Sequence, residues 1–145
     1  MTDKLAISPA TISSECFCLN IRRTARSIAR RYDDALKPLD LTNGQFSTLV
    51  AIAGVQPAPM QTLAEHLGMD RTTLTAMLKP LRRRGLVSVR LGATDRRSRQ
   101  LTLTDRGNGV LREAMPIWKK VQSEVARAVG GTSASALRAQ LARLT

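Results

Sequence analysis

Residues 63–87 read Leu-Ala-Glu-His-Leu-Gly-Met-Asp-Arg-Thr-Thr-Leu-Thr-Ala-Met-Leu-Lys-Pro-Leu-Arg-Arg-Arg-Gly-Leu-Val, and they hold two helices and the sharp turn between them. The first helix begins near Met60 and turns Leu63, Ala64 and Leu67 inward. Gly68 supplies its left-handed stop. Asp70 then caps a second helix that runs to about Arg84 and stops at Gly85. Leu74, Met77, Leu78 and Leu81 fall on one side of it at helical spacing. Arg71, Thr72, Thr75, Ala76 and Lys79 are left on the other, and Pro80 predicts a bend because it cannot donate to Ala76.

Downstream the period changes from helix to strand. Val87, Val89 and Leu91 alternate with Ser88 and Arg90, and Leu101 and Leu103 alternate with Gln100 and Thr102. Gly92 to Ser98 form the polar, basic turn of a hairpin. Thr104 caps a long helix reaching Val129, with Trp118, Val121, Val125 and Val129 on one side and a kink expected at Pro116. Gly130-Gly131 break the chain before a short helix marked by Leu137, Leu141 and Leu144.

Upstream, Thr42 and Gln45 fit a capping box. They open a helix carrying Phe46, Leu49, Val50 and Ala53, closed by Gly54, Pro57 and Pro59. From Ser14 to Leu36, Cys18, Ile21, Ala25, Ile28, Tyr32 and Ala35 recur at spacings of three and four, predicting one long helix that ends before Pro38. Residues 1–13 read as a loose arm. The fold class is therefore mainly α with a small β-hairpin wing: a winged helix-turn-helix over residues 42–104, flanked by amphipathic helices over 14–38 and 105–145. The end helices carry more apolar stripe than so small a core can cover, which predicts dimerisation through them.

Charge points to the partner. The chain of 145 residues has 23 Lys+Arg against 11 Asp+Glu, a net of +12. Arg71 to Arg106 alone holds ten basic and two acidic residues, so +8 of that excess falls on one helix and the hairpin. A helix fits the B-DNA major groove, where its N-terminal residues reach base edges. Arg71 suits guanine, Thr72 and Thr75 donate or accept, and Ala76 is small enough to touch a thymine methyl. Thr73 and Lys79 join them in reading or positioning. At the hairpin tip Arg96 and Arg97 suit the minor groove or its phosphates, and Asp95 can brace the turn by pairing with either arginine. Arg82, Arg83 and Arg84 read as phosphate contacts or as a solvated helix end.

Other classes are disfavoured. The four aromatic residues, Phe17, Tyr32, Phe46 and Trp118, are few for a basic RNA-binding protein that stacks bases, the rival reading. An enzyme would need more than one histidine (His66, read as an exposed helix residue), a phosphate loop or a nucleophile motif. No cofactor and no metal site are expected. No apolar run approaches a membrane span and the N-terminus lacks a signal-peptide shape, so the expected location is the cytoplasm.

Taken together, Leu63-Ala64-Glu65-His66-Leu67-Gly68, Thr73-Leu74-Thr75, Arg84-Gly85-Leu86-Val87, Asp95-Arg96-Arg97 and Leu103-Thr104-Asp105-Arg106-Gly107 resemble the multiple-antibiotic-resistance regulator (MarR) family in order and spacing. That resemblance implies a homodimeric, winged-helix regulator of transcription on a pseudo-palindromic duplex DNA operator, usually a repressor released by a small aromatic or anionic ligand. Arg22, Arg26, Arg30 and Trp118 are conceivable lining residues for such an effector. Glu15-Cys16-Phe17-Cys18-Leu19 resembles the start of the family's hydroperoxide-sensing branch, in which Cys16 would be the sensing thiol. The tyrosines that activate it there are missing: Asn20 and Arg30 occupy those positions, and Tyr32 is two residues out of place. Cys18 is a second candidate redox thiol, with Arg22 four residues on, and it also lies on the apolar stripe, where cysteine serves as a small hydrophobe. On one continuous helix the two thiols would face different ways, which argues against a bond between them.

Overall fold

A computed structural model describes residues 8–93, 98–131 and 133–145. Among the described residues seven α-helices and three short strands follow in order. They are α1 (Pro9–Glu15), α2 (Phe17–Leu36), α3 (Asn43–Val55), β1 (Ala58–Pro59), α4 (Met60–His66), α5 (Arg71–Arg83), β2 (Val87–Leu91), β3 (Arg99–Leu103), α6 (Asp105–Ala128) and α7 (Ser133–Leu141).

The N-terminal reading needs correction. The chain from Ser14 to Leu36 is not one helix, and the described part of the arm is not loose. Ser8 accepts from the Thr11 amide at 3.2 Å and Pro9 stands at the first helical position, so α1 forms where cap and proline signals coincide. It stops at Cys16, whose backbone is extended (φ −67°, ψ 108°). Asn20 secures the joint by donating through Nδ2 to the carbonyls of Ser14 and Cys16, both at 3.0 Å. Cys16 therefore does not ride on a helix face. Its sulfur caps α2, accepting from the Leu19 amide at 3.5 Å, and the helix-face argument about the two thiols does not apply.

The sheet is also larger than a hairpin. β1 pairs antiparallel with β3, giving the order β1-β3-β2, with Ala58 opposite Leu101 and Val87 opposite Leu103. β1 is two residues long and one of them is a proline, so it left no alternation to read. Helix α3 differs too. Its neighbours α2, α5, α6 and β3 surround it, so Phe46, Thr48, Leu49, Ala51 and Ile52 are buried on several faces, while Val50, read as a core residue, is exposed.

The remaining caps agree with the residue reading. Thr42 and Gln45 form the reciprocal box that starts α3. Gly68 and Gly85 stop α4 and α5 with φ of +61° and +66°. Both α5 and α6 continue through their internal prolines, Pro80 and Pro116. The core gathers Leu36, Leu49, Ile52, Leu63, Leu74, Leu81, Leu86 and Leu101, all fully buried. This joins α2, the helix-turn-helix and the sheet into one cluster.

Where the wing meets α6 the packing is tightest. Thr104 donates its amide to the Leu86 carbonyl at 3.1 Å and its hydroxyl to that of Gly85, then accepts from the Gly107 amide at 3.0 Å. Gly107 is buried against the Leu86 backbone, and a Cβ there would overlap the carbonyl oxygen. The Leu-Thr-x-x-Gly segment is thus a backbone joint between sheet and helix.

At the two ends of the chain, apolar side chains stay on the surface. Ile12, Phe17, Leu19 and Ile21 are exposed at one end, and Leu137, Leu141 and Leu144 at the other. Phe17 is 84% exposed. Among the described residues no helix is long and apolar enough to cross a membrane.

Candidate nucleic-acid interface

Helix α5 has the two faces its spacing predicts. Leu74, Leu78 and Leu81 are buried, and Arg71, Thr72, Thr75, Ala76 and Lys79 are exposed. Together with Arg82 these exposed residues line one shallow groove. Asp70 sets the start of the helix: one carboxylate oxygen accepts from the Thr73 amide at 2.7 Å and the other from its hydroxyl at 2.8 Å. Those hydrogen bonds hold the Asp70 carboxyl below the usual carboxylate range. Thr73 spends its hydroxyl proton on the cap. Thr75 donates to the Arg71 carbonyl at 2.7 Å, keeping its lone pairs and methyl group for a partner.

The helix is seated on α3 by a notch the residue pattern did not mark. Gly44 leaves room for Met77, since a Cβ at Gly44 would lie 2.8 Å from Met77 Cε. Thr48, fully buried, donates to the Gly44 carbonyl at 2.8 Å and lies 3.1 Å from Met77 Sδ.

At the far end of α5 the three arginines divide. Arg82 and Arg83 are exposed and share a second basic groove with Lys79, Val87, Ser88 and Val89. Arg84 is neither a phosphate contact nor a solvated end. It donates to the Leu39 carbonyl at 2.9 Å and to that of Asp40, with the Asp40 carboxylate 3.8 Å away. Asp40 has φ of +51°, and the turn it makes brings those carbonyls into reach. Nothing in the run Arg82-Arg83-Arg84 distinguishes the clasp residue from its neighbours. The signal lies 44 positions away in the turn.

The wing is closed at its base by the Gly92 amide donating to the Ser98 carbonyl at 2.9 Å, and by a 2.6 Å hydrogen bond between the Ser88 and Thr102 hydroxyls. Arg90 and Arg99 are exposed on the strands. Asp95, Arg96 and Arg97, the wing residues read from sequence, lie outside the described residues.

The sensor candidates do not converge. Cys16 is half-buried and Cys18 is exposed, and neither is in a disulfide. Tyr32 is buried and donates to Gln122 Oε1 at 2.6 Å, with burial pushing its phenol above the ordinary value. Its hydroxyl is committed to α6 and not to a thiol. Arg22, Arg26 and Arg30 lie exposed on α2, whereas Trp118 lines a separate cleft of about 310 Å³ with Phe46, Val50, His66 and Met115. Among the described residues no cluster of side chains could hold a metal ion.

A helix-turn-helix with a three-stranded wing and a basic, solvent-facing second helix defines a winged-helix protein. The MarR family profile matches residues 39–98. The chain is similar to the Mycobacterium tuberculosis transcriptional regulator MosR, solved in complex with DNA, at 44% identity over 90% of this chain and 93% of that one, with a TM-score of 0.81. It is also similar to the transcriptional repressor CouR bound to a 23-mer DNA duplex, at 26% identity over 97% and 99% of the two chains, TM-score 0.84. The fold is shared as well by a mutant of Escherichia coli MarR complexed with operator DNA, at 22% identity over 94% and 99%, TM-score 0.85. The chain belongs to the MarR family.

Proposed function

We propose that this protein is a sequence-specific, duplex-DNA-binding regulator of transcription that works as a homodimer, represses, and has no catalytic activity of its own. The carrying observation is helix α5. Its apolar face is locked to the core, while Arg71, Thr72, Thr75, Ala76 and Lys79 stand in solvent along the opposite face, which begins at the end capped by Asp70. Likeness to MosR and CouR, both solved on DNA, supports the same partner here. The exposed apolar side chains of α1, α2 and α7 support dimerisation through the end helices, with residues 42–104 as the reading unit. Two such units would meet half-sites about 34–36 Å apart. We place the protein in the cytoplasm with the DNA it reads. Selection from a random duplex library, followed by titration of the recovered sequence, tests this reading. Recovery of a pseudo-palindrome is expected, and equal affinity for all duplexes would defeat it.

The cleft between α3, α4 and α6 supports release by a small aromatic ligand, since Phe46, Val50, Met115 and Trp118 offer it apolar walls. A panel of aromatic acids should raise the melting temperature and lower DNA affinity, and Trp118→Ala should abolish both effects. A second reading is thiol-based release. One observation favours it: Cys16 Sγ caps the N-terminus of a 20-residue helix and is only half-buried. Treatment with an organic hydroperoxide discriminates the two, because DNA release that persists in Cys16→Ser removes the thiol reading.

A further inference from the structure

Strand β2 has an open edge. The sheet order β1-β3-β2 gives it a neighbour on one side only. Two hydrogen bonds at its ends fix which main-chain groups that edge presents. Before the strand, Leu86 accepts from the Thr104 amide at 3.1 Å, and after it the Gly92 amide donates to the Ser98 carbonyl at 2.9 Å. Both pairs continue the register that sets Ser88 opposite Thr102 and Arg90 opposite Gln100. Bonded and non-bonded pairs alternate in an antiparallel ladder, so Ser88 and Arg90 turn their amides and carbonyls toward β3. Val87, Val89 and Leu91 turn theirs away from it. Val87 is buried, which leaves Val89 and Leu91 as the reachable stretch, and Leu91 is 63% exposed.

Cations border that edge. Lys79, Arg82 and Arg83 of α5 line one groove with Val87, Ser88 and Val89 of β2. All three are exposed, and among the described residues none has a carboxylate within ion-pair distance. Arg90 adds a further exposed cation on the strand itself. An open edge of extended main chain is a template for another strand, and its charge selects which one. A second copy of β2 would set like charges side by side, which is destabilising. A strand carrying carboxylates would meet its complement.

We propose that the β2 edge and the groove beside it bind an extended acidic peptide, a segment of a partner protein that adds a strand at Val89 and Leu91 and sets carboxylates against Lys79, Arg82 and Arg83. The two outward residues exchange up to about four main-chain hydrogen bonds with such a strand. Val89 and Leu91 are two positions apart, so they share a face of the sheet and offer apolar contact to alternate residues of the added strand.

Two properties favour a peptide over a nucleic-acid backbone. The β2 wall of the groove presents outward amides and carbonyls together, which pair both ways with another main chain, whereas phosphates offer acceptors alone. The groove also lies along the C-terminal half of α5, past Arg71, Thr72, Thr75 and Ala76, and Arg83 does not line the groove those residues share. The peptide site stands apart from the DNA-binding reading and assigns a second kind of partner to this chain.

The probe is a capped heptapeptide alternating glutamate and valine, titrated into the full-length protein and followed by fluorescence anisotropy and by backbone amide exchange. Binding is expected, with exchange slowed at the Val89 and Leu91 amides. Arg82→Gln/Arg83→Gln should weaken the peptide about tenfold by removing charge-assisted contacts. N-methylation of alternate peptide amides, which keeps the charges and removes the donors, should weaken it about tenfold as well and makes the test independent of any protein variant. A peptide with lysine in place of glutamate should not bind. No binding of the acidic peptide at about 1 mM overturns the proposal. Equal affinity for the plain and N-methylated peptides also overturns it, leaving a cation patch without strand addition. A shallower salt dependence of duplex binding in Arg83→Gln, with peptide affinity unchanged, overturns it in favour of a DNA phosphate contact.

Discussion

Gly107 and Leu86 pack backbone against backbone, so that the first turn of α6 rests on the strand entering the wing. A Cβ at Gly107 would overlap the Leu86 carbonyl oxygen and lie 3.0 Å from its carbonyl carbon. Neither group can turn aside, because Leu86 also accepts from the Thr104 amide. Gly107→Ala should cost about 3 kcal/mol, at the upper end for overpacking, read as a lowered denaturation midpoint. A cost below about 1 kcal/mol would mean that the joint yields.

Gly44 provides the contrast. Its missing Cβ is filled by the end of a flexible methionine. Gly44→Ala should therefore leave stability within about 1 kcal/mol of wild type, because Met77 can swing away and alanine favours the helix. The displaced Met77 should still shift α5, so DNA affinity is expected to fall more than stability does. Equal, proportionate losses in both measurements would contradict the notch as a positioning device.

Asp70 makes a prediction in pH. Its carboxyl is held low by hydrogen bonds from Thr73, so the folded state favours the charged form. That contribution is complete above the unfolded carboxylate value of about 4 and is lost as the pH falls through the lower folded value. Asp70→Asn retains a capping oxygen without the titration. The melting-temperature advantage of wild type over Asp70→Asn should shrink on acidification below about pH 4. A constant difference across that range would show that the cap is not proton-linked.

Readout and positioning should separate by variant. Arg71→Ala or Thr75→Ala should relax discrimination between sequences, with about 1–3 kcal/mol at stake for a good base contact. Arg96→Gln, in the wing, should weaken all sequences alike and reduce the salt slope by about 0.9 for each protomer. A uniform loss on removing Arg71, with no change in preference, would assign it to the phosphates instead.

Arg84 should prove structural. Its guanidinium bridges two carbonyls at once, a geometry that lysine does not reproduce. Arg84→Lys and Arg84→Met should each lower stability by about 2 kcal/mol, whereas Arg83→Lys should be neutral. Thermal melts decide it. A fully tolerated Arg84→Lys would show that charge suffices.

Much of the fold is legible in the sequence, for physical reasons that differ by element. The cap signals at Thr42, Asp70 and Thr104, with the glycine stops at Gly68 and Gly85, are local, and local signals survive packing. The exposed face of α5 was legible because its opposite face is uniformly apolar. Helix α3 was not, because neighbours on several sides bury residues off any one stripe and leave Val50 outside. The break at Cys16 was missed because the apolar stripe begins only at Cys18 and carries no signal for the residues before it, though Ser8-Pro9 announced α1. Arg84 and Gly107 owe their roles to partners distant in sequence or to a backbone with no pattern of its own. Sequence spacing alone cannot separate them from their neighbours.

The Arg84 clasp bears on how an operator could be released. It ties the trailing end of α5 to the turn that ends α2, the helix proposed above as part of the dimer arm. The reading head therefore cannot swivel freely on its own support. A signal received on the arm would change the span between two heads, leaving each head's own shape intact. Release in such a machine is a mismatch of stride: both heads remain able to read, but no longer reach their half-sites together.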